Sequence, residues 1–568
     1  MTRGAWAARA LAAAGGLGCS SSTPGPRAPS AATDALARRY LAVVEGSSPE
    51  TATALGHHEA DHLLDDRSPS AEAARLTRER ALLADVVARQ PRAESLLDAT
   101  DLSILRAELE VDLARTAWER PLARRPDLYA SPMNAVFTML ARDYAPLPRR
   151  AADAVARMNA VPAVVAQAKA NLSPAEIPPE WVTVSIEMAR SARAFFAAEA
   201  PALSAALPGR EAEVGAAVER ATSAYDDYAT FLERDVAPRA RGSFAIGRAA
   251  FDHLARTSYH LDQSPEELRA VGARVLEQTK AELGRVAARI DPSATGFLPV
   301  IAAVKKRHPT AAELLPTYRR EVARVRAFLA ERRVVPFPEG DDCEVIETPV
   351  FLRSTLTAAY DQAPPFDPVT KGLFFVTPVD PRANPAAQAA ALSEHDYGDV
   401  VDTAVHEVYP GHHLQLSFAR RHPSLTRKIT GPSIFAEGWA LYSEELLAEL
   451  GYYTDEERLM QLSWTLVRAA RVILDVDLHT RGMTAREAVA MLMTEAGLGE
   501  GLAKSEVARY VMTPTQPLSY LIGREQILAM REKMRARDGA AFSLLRFHDE
   551  LLRRGTVAPA LLARELGL

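Results

Sequence analysis

From Ala32 onward the chain repeats apolar residues at three- and four-residue spacing in a background of Ala, Leu, Arg and Glu, and that period belongs to helices. Leu82, Leu83, Val86 and Val87 show it, followed by Leu96 and Leu97, and it returns over residues 102–113 and 216–232. Start signals agree with it. Ser264-Pro265-Glu266-Glu267 offers a cap, a proline at the first helical position and acids in the first turn. Thr310 to Glu313 reads as a capping box ahead of another helix, and Thr484 to Glu487 as one ahead of residues 488–493. Strand signals are confined to the middle. Residues 344–352 (EVIETPVFL) and 372–377 (GLFFVT) are short, β-branched or aromatic, and bounded by Pro or Gly, with a Pro-rich stretch at 361–371 between them. The Pro-rich run 377–385 reads as an ordered loop, and no segment repeats at a fixed period. The expected fold is mainly α, a large helical body with one small β-sheet.

A chain of 568 residues can bury a large core and form two or three sub-domains. The expected division is 1–31 as signal and tether, 32–340 as a helical N-terminal half, and 341–568 as a mostly helical half carrying the chemistry. The two halves are also compatible with one continuous domain. A net charge of −6, from 67 basic and 73 acidic residues, shows no basic footprint for nucleic acid. The first residues differ from the rest: Arg3 and Arg9 accompany an Ala-rich stretch that runs into Gly18-Cys19 and Ser20-Ser21-Ser22. That order is a secretory signal, and Cys19 resembles the modified cysteine of bacterial lipoproteins; a plainly cleaved signal is the alternative. Only Cys19 and Cys343 occur, which excludes a disulfide framework. No later stretch reaches the length of a membrane span, so membrane contact is expected only through a lipid on Cys19. The expected location is the cell envelope.

The chemistry is concentrated in residues 406–413, HEVYPGHH. Catalytic zinc takes three protein ligands from His, Glu or Asp and keeps one position for water. The common arrangement is two His one helical turn apart with a Glu beside the first as general base. His406 and Glu407 fit the first two roles, but Pro410 stands where the second His belongs. On an unbroken helix His413 would lie about 20° round from His406 but about 10 Å along, and His412 about 120° away. Pro410-Gly411 breaks that helix, so both His412 and His413 stay open as the second ligand. Glu437, in the apolar segment FAEGWALY (435–442), is the expected third ligand, because a carboxylate there is costly to bury unless paired or metal-bound. Glu444 and Glu445 read instead as a solvated face. His57, His58 and His62 read as surface residues, and His395 as a support behind a metal ligand or as incidental.

Residues 406–415 (HEVYPGHHLQ) and 437–446 (EGWALYSEEL) resemble the bacterial family named domain of unknown function 885. Residues 242–251 (GSFAIGRAAF), 373–377 and Phe547-His548-Asp549 are similar to it as well. Residues 510–523 also match, except that Thr515 and Pro517 depart from the family's PGQALSY. The resemblance implies kinship with the gluzincin metallopeptidases, a small sheet beside an active-site cleft, and Zn²⁺ as cofactor. By the same analogy Tyr520 would stabilise the oxyanion, with Tyr510 and His548 behind it. Arg524, one turn from Tyr520, would meet a substrate carboxylate, and the strand around Phe375 would pair with an extended peptide or small protein substrate. The function expected is a zinc peptidase with Glu407 as general base. The alternatives are a catalytically silent metal-binding module of the envelope and a hydrolase of a non-peptide amide.

Overall fold

A computed structural model describes residues 27–349, 353 and 356–568; Cys19 and the expected signal segment lie outside them. Helices dominate, and their ends are set by the residues that announced them. Ser264 accepts from the Glu267 N–H while Glu267 reaches back to the Ser264 N–H, opening α1 (Pro265–Ile290). Thr484 and Glu487 form the same box at the helix Ala485–Ala496. The box expected at Thr310 is incomplete. The Thr310 hydroxyl donates to Glu313 at 2.8 Å, a turn follows, and α2 (Leu314–Arg332) starts one turn later.

The sheet has three strands, β1 (Cys343–Glu347), β2 (Ala358–Asp361) and β3 (Gly372–Val376), in the order β1-β3-β2. β3 starts where expected and ends one residue before the expected 377; β1 ends at Glu347, short of the expected 352. β3 runs parallel to β1 and antiparallel to β2, and all five of its residues are buried. This corrects the role expected of Phe375. β3 is the central strand with both edges occupied, so it has no free ladder groups for a substrate. The edge strands are β1 and β2, and β2 is the one that the sequence did not announce.

Five further helices carry the residues of the site described below: α3 (Tyr397–Glu407), α4 (His412–Arg420), α5 (Ser433–Glu449), α6 (Asp455–Thr480) and α7 (Gln516–Asp538). α6 is buried along most of its length and packs on α1, where a methyl at Gly272 would strike Val472 and Ala469. One hydrophobic core runs from Tyr129 through Val304 and on through residues 434–558, so the segments on either side of residue 340 share it. A buried ion-pair group ties the first helices to the last. Arg427 donates to Asp101 at 2.7 Å and pairs with Glu565, with no exposure at Arg427 or Asp101. His57 and His58, expected at the surface, are half-buried. His58 spans Asp61 (3.0 Å) and Asp367 (2.7 Å) and stacks on Tyr144, fastening residues 49–67 to the segment before β3. His62 is exposed, as expected.

Candidate metal centre

α3 delivers His406 and Glu407 in its last turn and then stops. The next residues widen the turn. The Tyr409 N–H reaches back to Ala404 O (3.2 Å), Gly411 N–H to Val405 O (3.1 Å) and Leu414 N–H to Val408 O (3.3 Å), spacings of five and six residues in place of four. The Tyr409–Pro410 bond is cis, and the Pro410 carbonyl accepts from the Trp439 indole at 2.7 Å, which pins the break to α5. Gly411 is demanded by proximity, since a Cβ there would stand 1.7 Å from His406 O. This fold-back brings His412 beside His406, their rings 4.9 Å apart and nearly perpendicular.

α5 supplies the third group. It crosses α7 at two glycines, where a Cβ on Gly438 would meet Gly523 and a Cβ on Gly523 would meet Ile434 O at 1.9 Å. That close approach sets Glu437, next to Gly438, near Tyr520, one turn before Gly523. The Glu437 Oε2 lies 3.3 Å from His412 Nε2 and 3.8 Å from His406 Nε2. Among the described residues, His406, His412 and Glu437 are the metal-ligating group whose donor atoms all come within 4.8 Å of one another. Tetrahedral zinc with bonds of ~2.0–2.1 Å holds its donors ~3.3–3.5 Å apart, so the set fits with small adjustments. The charges agree. Burial works against a charged imidazole, but its hydrogen bonds to the Glu437 and Glu444 carboxylates outweigh it and raise His406 to about 10. Burial likewise opposes the Glu437 charge, and His412 and His406 override it, holding the carboxylate well below its usual range.

The structure separates the two histidines that sequence left open. Nε2 of His413 lies 2.8 Å from Asp341 and Nδ1 lies 3.1 Å from the Tyr360 hydroxyl, so its ring faces away from Glu437. Successive helical residues diverge by about 100°, and the break makes His412 the one that meets His406. Glu444 is a further correction. It is fully buried, 2.7 Å from His406 Nδ1 and 3.6 Å from Arg468 Nη2, and receives a weak hydrogen bond from Gln461. A carboxylate on the far nitrogen of a ligating His orients the ring and fixes its tautomer. Seven residues separate Glu437 from Glu444, which puts both on nearly one helix face; that spacing was the available signal. Glu445 pairs with Arg458 at the rim, as a solvated face would.

Glu407 points to the sheet. Its Oε2 accepts the Tyr360 N–H of β2 at 2.9 Å. The Tyr520 ring stacks 6.4 Å from that of His406 and lies under the Arg471 guanidinium at 4.6 Å. Burial and the Glu437 charge raise its phenol above the ordinary value, while Arg509 and Arg471 work against them. The other expected site residues have other duties. Tyr510 is fully buried, donating to Glu506 at 2.5 Å and accepting from Arg471. His548 is enclosed between the Tyr442 hydroxyl (2.8 Å) and the Val334 carbonyl (2.5 Å). Arg524 is buried on α7, with the adjacent Glu525 as its ion-pair partner at 2.9 Å. His395 is buried behind β3 against the Tyr318 hydroxyl, at 3.0 Å.

The chain has solved structural counterparts. A candidate lipoprotein of unknown function from Shewanella oneidensis superposes with a TM-score of 0.78 at 22% identity, covering 95% of this chain and 100% of that one. A candidate lipoprotein from Colwellia psychrerythraea superposes with a TM-score of 0.79 at 18% identity, covering 94% and 98%. At these identities the likeness is one of fold. No curated protein matches the chain significantly. The family described as a bacterial protein of unknown function, DUF885, matches residues 49–566, nearly the whole chain through both halves and the His406–Glu437 centre, and the chain belongs to that family.

Proposed function

We propose that the chain is a zinc-dependent peptidase of the bacterial cell envelope, related in mechanism to the gluzincins. The reading rests on one observation above the others: two imidazoles and a carboxylate converge within 4.8 Å, beside a second carboxylate, Glu407, that the ligand set does not use. A site built only to hold a metal has no need of that base. His406, His412 and Glu437 would hold the zinc, which when bound lowers the pKa of a water towards neutrality and polarises a carbonyl.

The remaining work falls to the chain's own groups. One Glu407 oxygen is occupied by the Tyr360 N–H, leaving the other to accept a proton from the attacking water and to return it to the leaving amine. Glu444 keeps the His406 ring aimed with its Nε2 inward. The Tyr520 hydroxyl, flanked by Arg471, donates to the developing oxyanion. Substrate would align on β2 rather than β3. Thr377 N–H bonds Thr357 O, and Tyr360 N–H turns outward to Glu407, so the alternation of the ladder puts the Ala358 N–H and C=O and the Tyr360 C=O on the side away from β3. An extended peptide pairing with that edge would pass its backbone in front of Glu407.

Envelope placement draws on the signal-like start with Cys19 and on the names of the solved counterparts. Among the described residues no helix is long and apolar enough to cross a membrane. The test is a peptide-library cleavage screen on zinc-loaded protein with and without chelator. Cleavage that stops with chelator and returns with zinc is expected. Cleavage of amide-containing cell-wall fragments but of no peptide would move the substrate to a non-peptide amide.

A further inference from the structure

His413 is adjacent to a proposed ligand, fully buried, and has no part in the steps above. Its surroundings are specific. Nε2 lies 2.8 Å from Asp341, a carboxylate with the same 1% side-chain exposure as the histidine. The other Asp341 oxygen accepts from the Tyr409 hydroxyl at 2.5 Å, so its orientation is fixed from the residue just before Pro410. On the other side, Nδ1 lies 3.1 Å from the Tyr360 hydroxyl, and the ring stands edge-on to both Tyr360 and Tyr409. Gly372 of β3 gives way to this pair: a Cβ there would lie 2.5 Å from the Tyr360 hydroxyl and 2.8 Å from His413 Nδ1.

Tyr360 is therefore held by its side chain on one face of the sheet while its backbone N–H holds Glu407. β2 is a four-residue edge strand with a single neighbour, and short edge strands of this kind depend on such tethers for their position. We propose that His413 is a positioning residue: braced by Asp341, it seats Tyr360 so that β2 lies against α3 and the Tyr360 N–H grips the Glu407 carboxylate. The fold-back at Pro410-Gly411 then serves two ends. It sends His412 to the ligand set and the next residue, His413, to the strand that the general base leans on. The catalytic part of this inference rests on the peptidase reading, through the role of Glu407; the structural part does not.

Two variants and two independent readouts test it. Tyr360→Phe removes only the hydroxyl, and His413→Gln removes the ring while leaving His412 in place. Hydrogen exchange followed by mass spectrometry on zinc-loaded protein reads the 357–362 segment directly. It is expected to exchange about tenfold or more faster in both variants, with zinc content unchanged. Turnover of a library-derived peptide is expected to fall by about 10–100-fold in kcat with KM nearly constant, the scale of a lost outer-shell partner. Wild-type protection of 357–362 in both variants would overturn the inference, as would loss of zinc from His413→Gln. If the wild-type protein cleaves nothing, the exchange result still decides whether His413 seats β2, and only the peptidase reading fails.

Discussion

Glu407→Gln is expected to retain zinc at wild-type stoichiometry while losing about 10²–10⁴-fold in kcat, the range for removing a general acid–base group. That loss corresponds to about 3–5 kcal/mol of barrier. The amide keeps the shape of the carboxylate, and its oxygen can still accept the Tyr360 N–H, so β2 and the ligand set should stay in place. What it cannot do is take a proton from water. KM should therefore change little, because the interaction removed acts on the reacting water and not on bound substrate. Metal content by elemental analysis and steady-state kinetics on the same preparation check both halves. Retained activity would take the base role away from Glu407.

His412→Ala is expected to weaken zinc binding by more than 100-fold, beyond what loss of an outer-shell partner costs, and to abolish turnover with it. The contrast with His413 carries the weight. Both histidines are buried or nearly so, and they are neighbours in the chain, yet only His412 approaches Glu437. A competition titration against a chromogenic chelator measures the two variants side by side. His413→Gln should bind zinc as the wild type does. Equal losses in the two variants would mean that the fold-back does not select between them.

Much of this centre was legible in sequence, and the illegible parts share a cause. His406 and Glu407 could be named from the His-Glu pairing of zinc sites, and Glu437 because a charge in an apolar helical segment needs a partner; both are local statements. The helical class and the boxes at Ser264 and Thr484 are local as well. The choice of His412 is not. It depends on a turn widened by five- and six-residue hydrogen bonds, on Gly411 fitting against His406 O, and on Trp439 of another helix holding the Pro410 carbonyl. Glu444 was misassigned because an acid near the end of a helix resembles a solvated face unless its partner, here His406, is known.

The strands show the same division. The uninterrupted apolar run 373–376 carried the mark of a strand buried on both faces, which is the mark of a central strand. Substrate pairing was nevertheless expected there. β2 has the sequence Ala-Ala-Tyr-Asp, with weak strand propensity, and forms because β3 supplies a partner and Glu407 and His413 hold Tyr360. Arg524 and His548 were read from their proximity in sequence to Tyr520 and to a family motif. Their side chains turn instead to Glu525 and to Tyr442 with Val334. Helix neighbours one turn apart share a face only approximately, and burial decides the rest.

The central claim is that His406, His412 and Glu437 hold a single zinc. Anomalous diffraction at the zinc edge, from crystals of the full chain grown with zinc, tests it most directly. One strong peak is expected between His406 Nε2, His412 Nε2 and the Glu437 carboxylate, with none at His413 and Asp341. A peak at the His413–Asp341 pair, or no peak at His406 in protein that has been offered zinc, would contradict it.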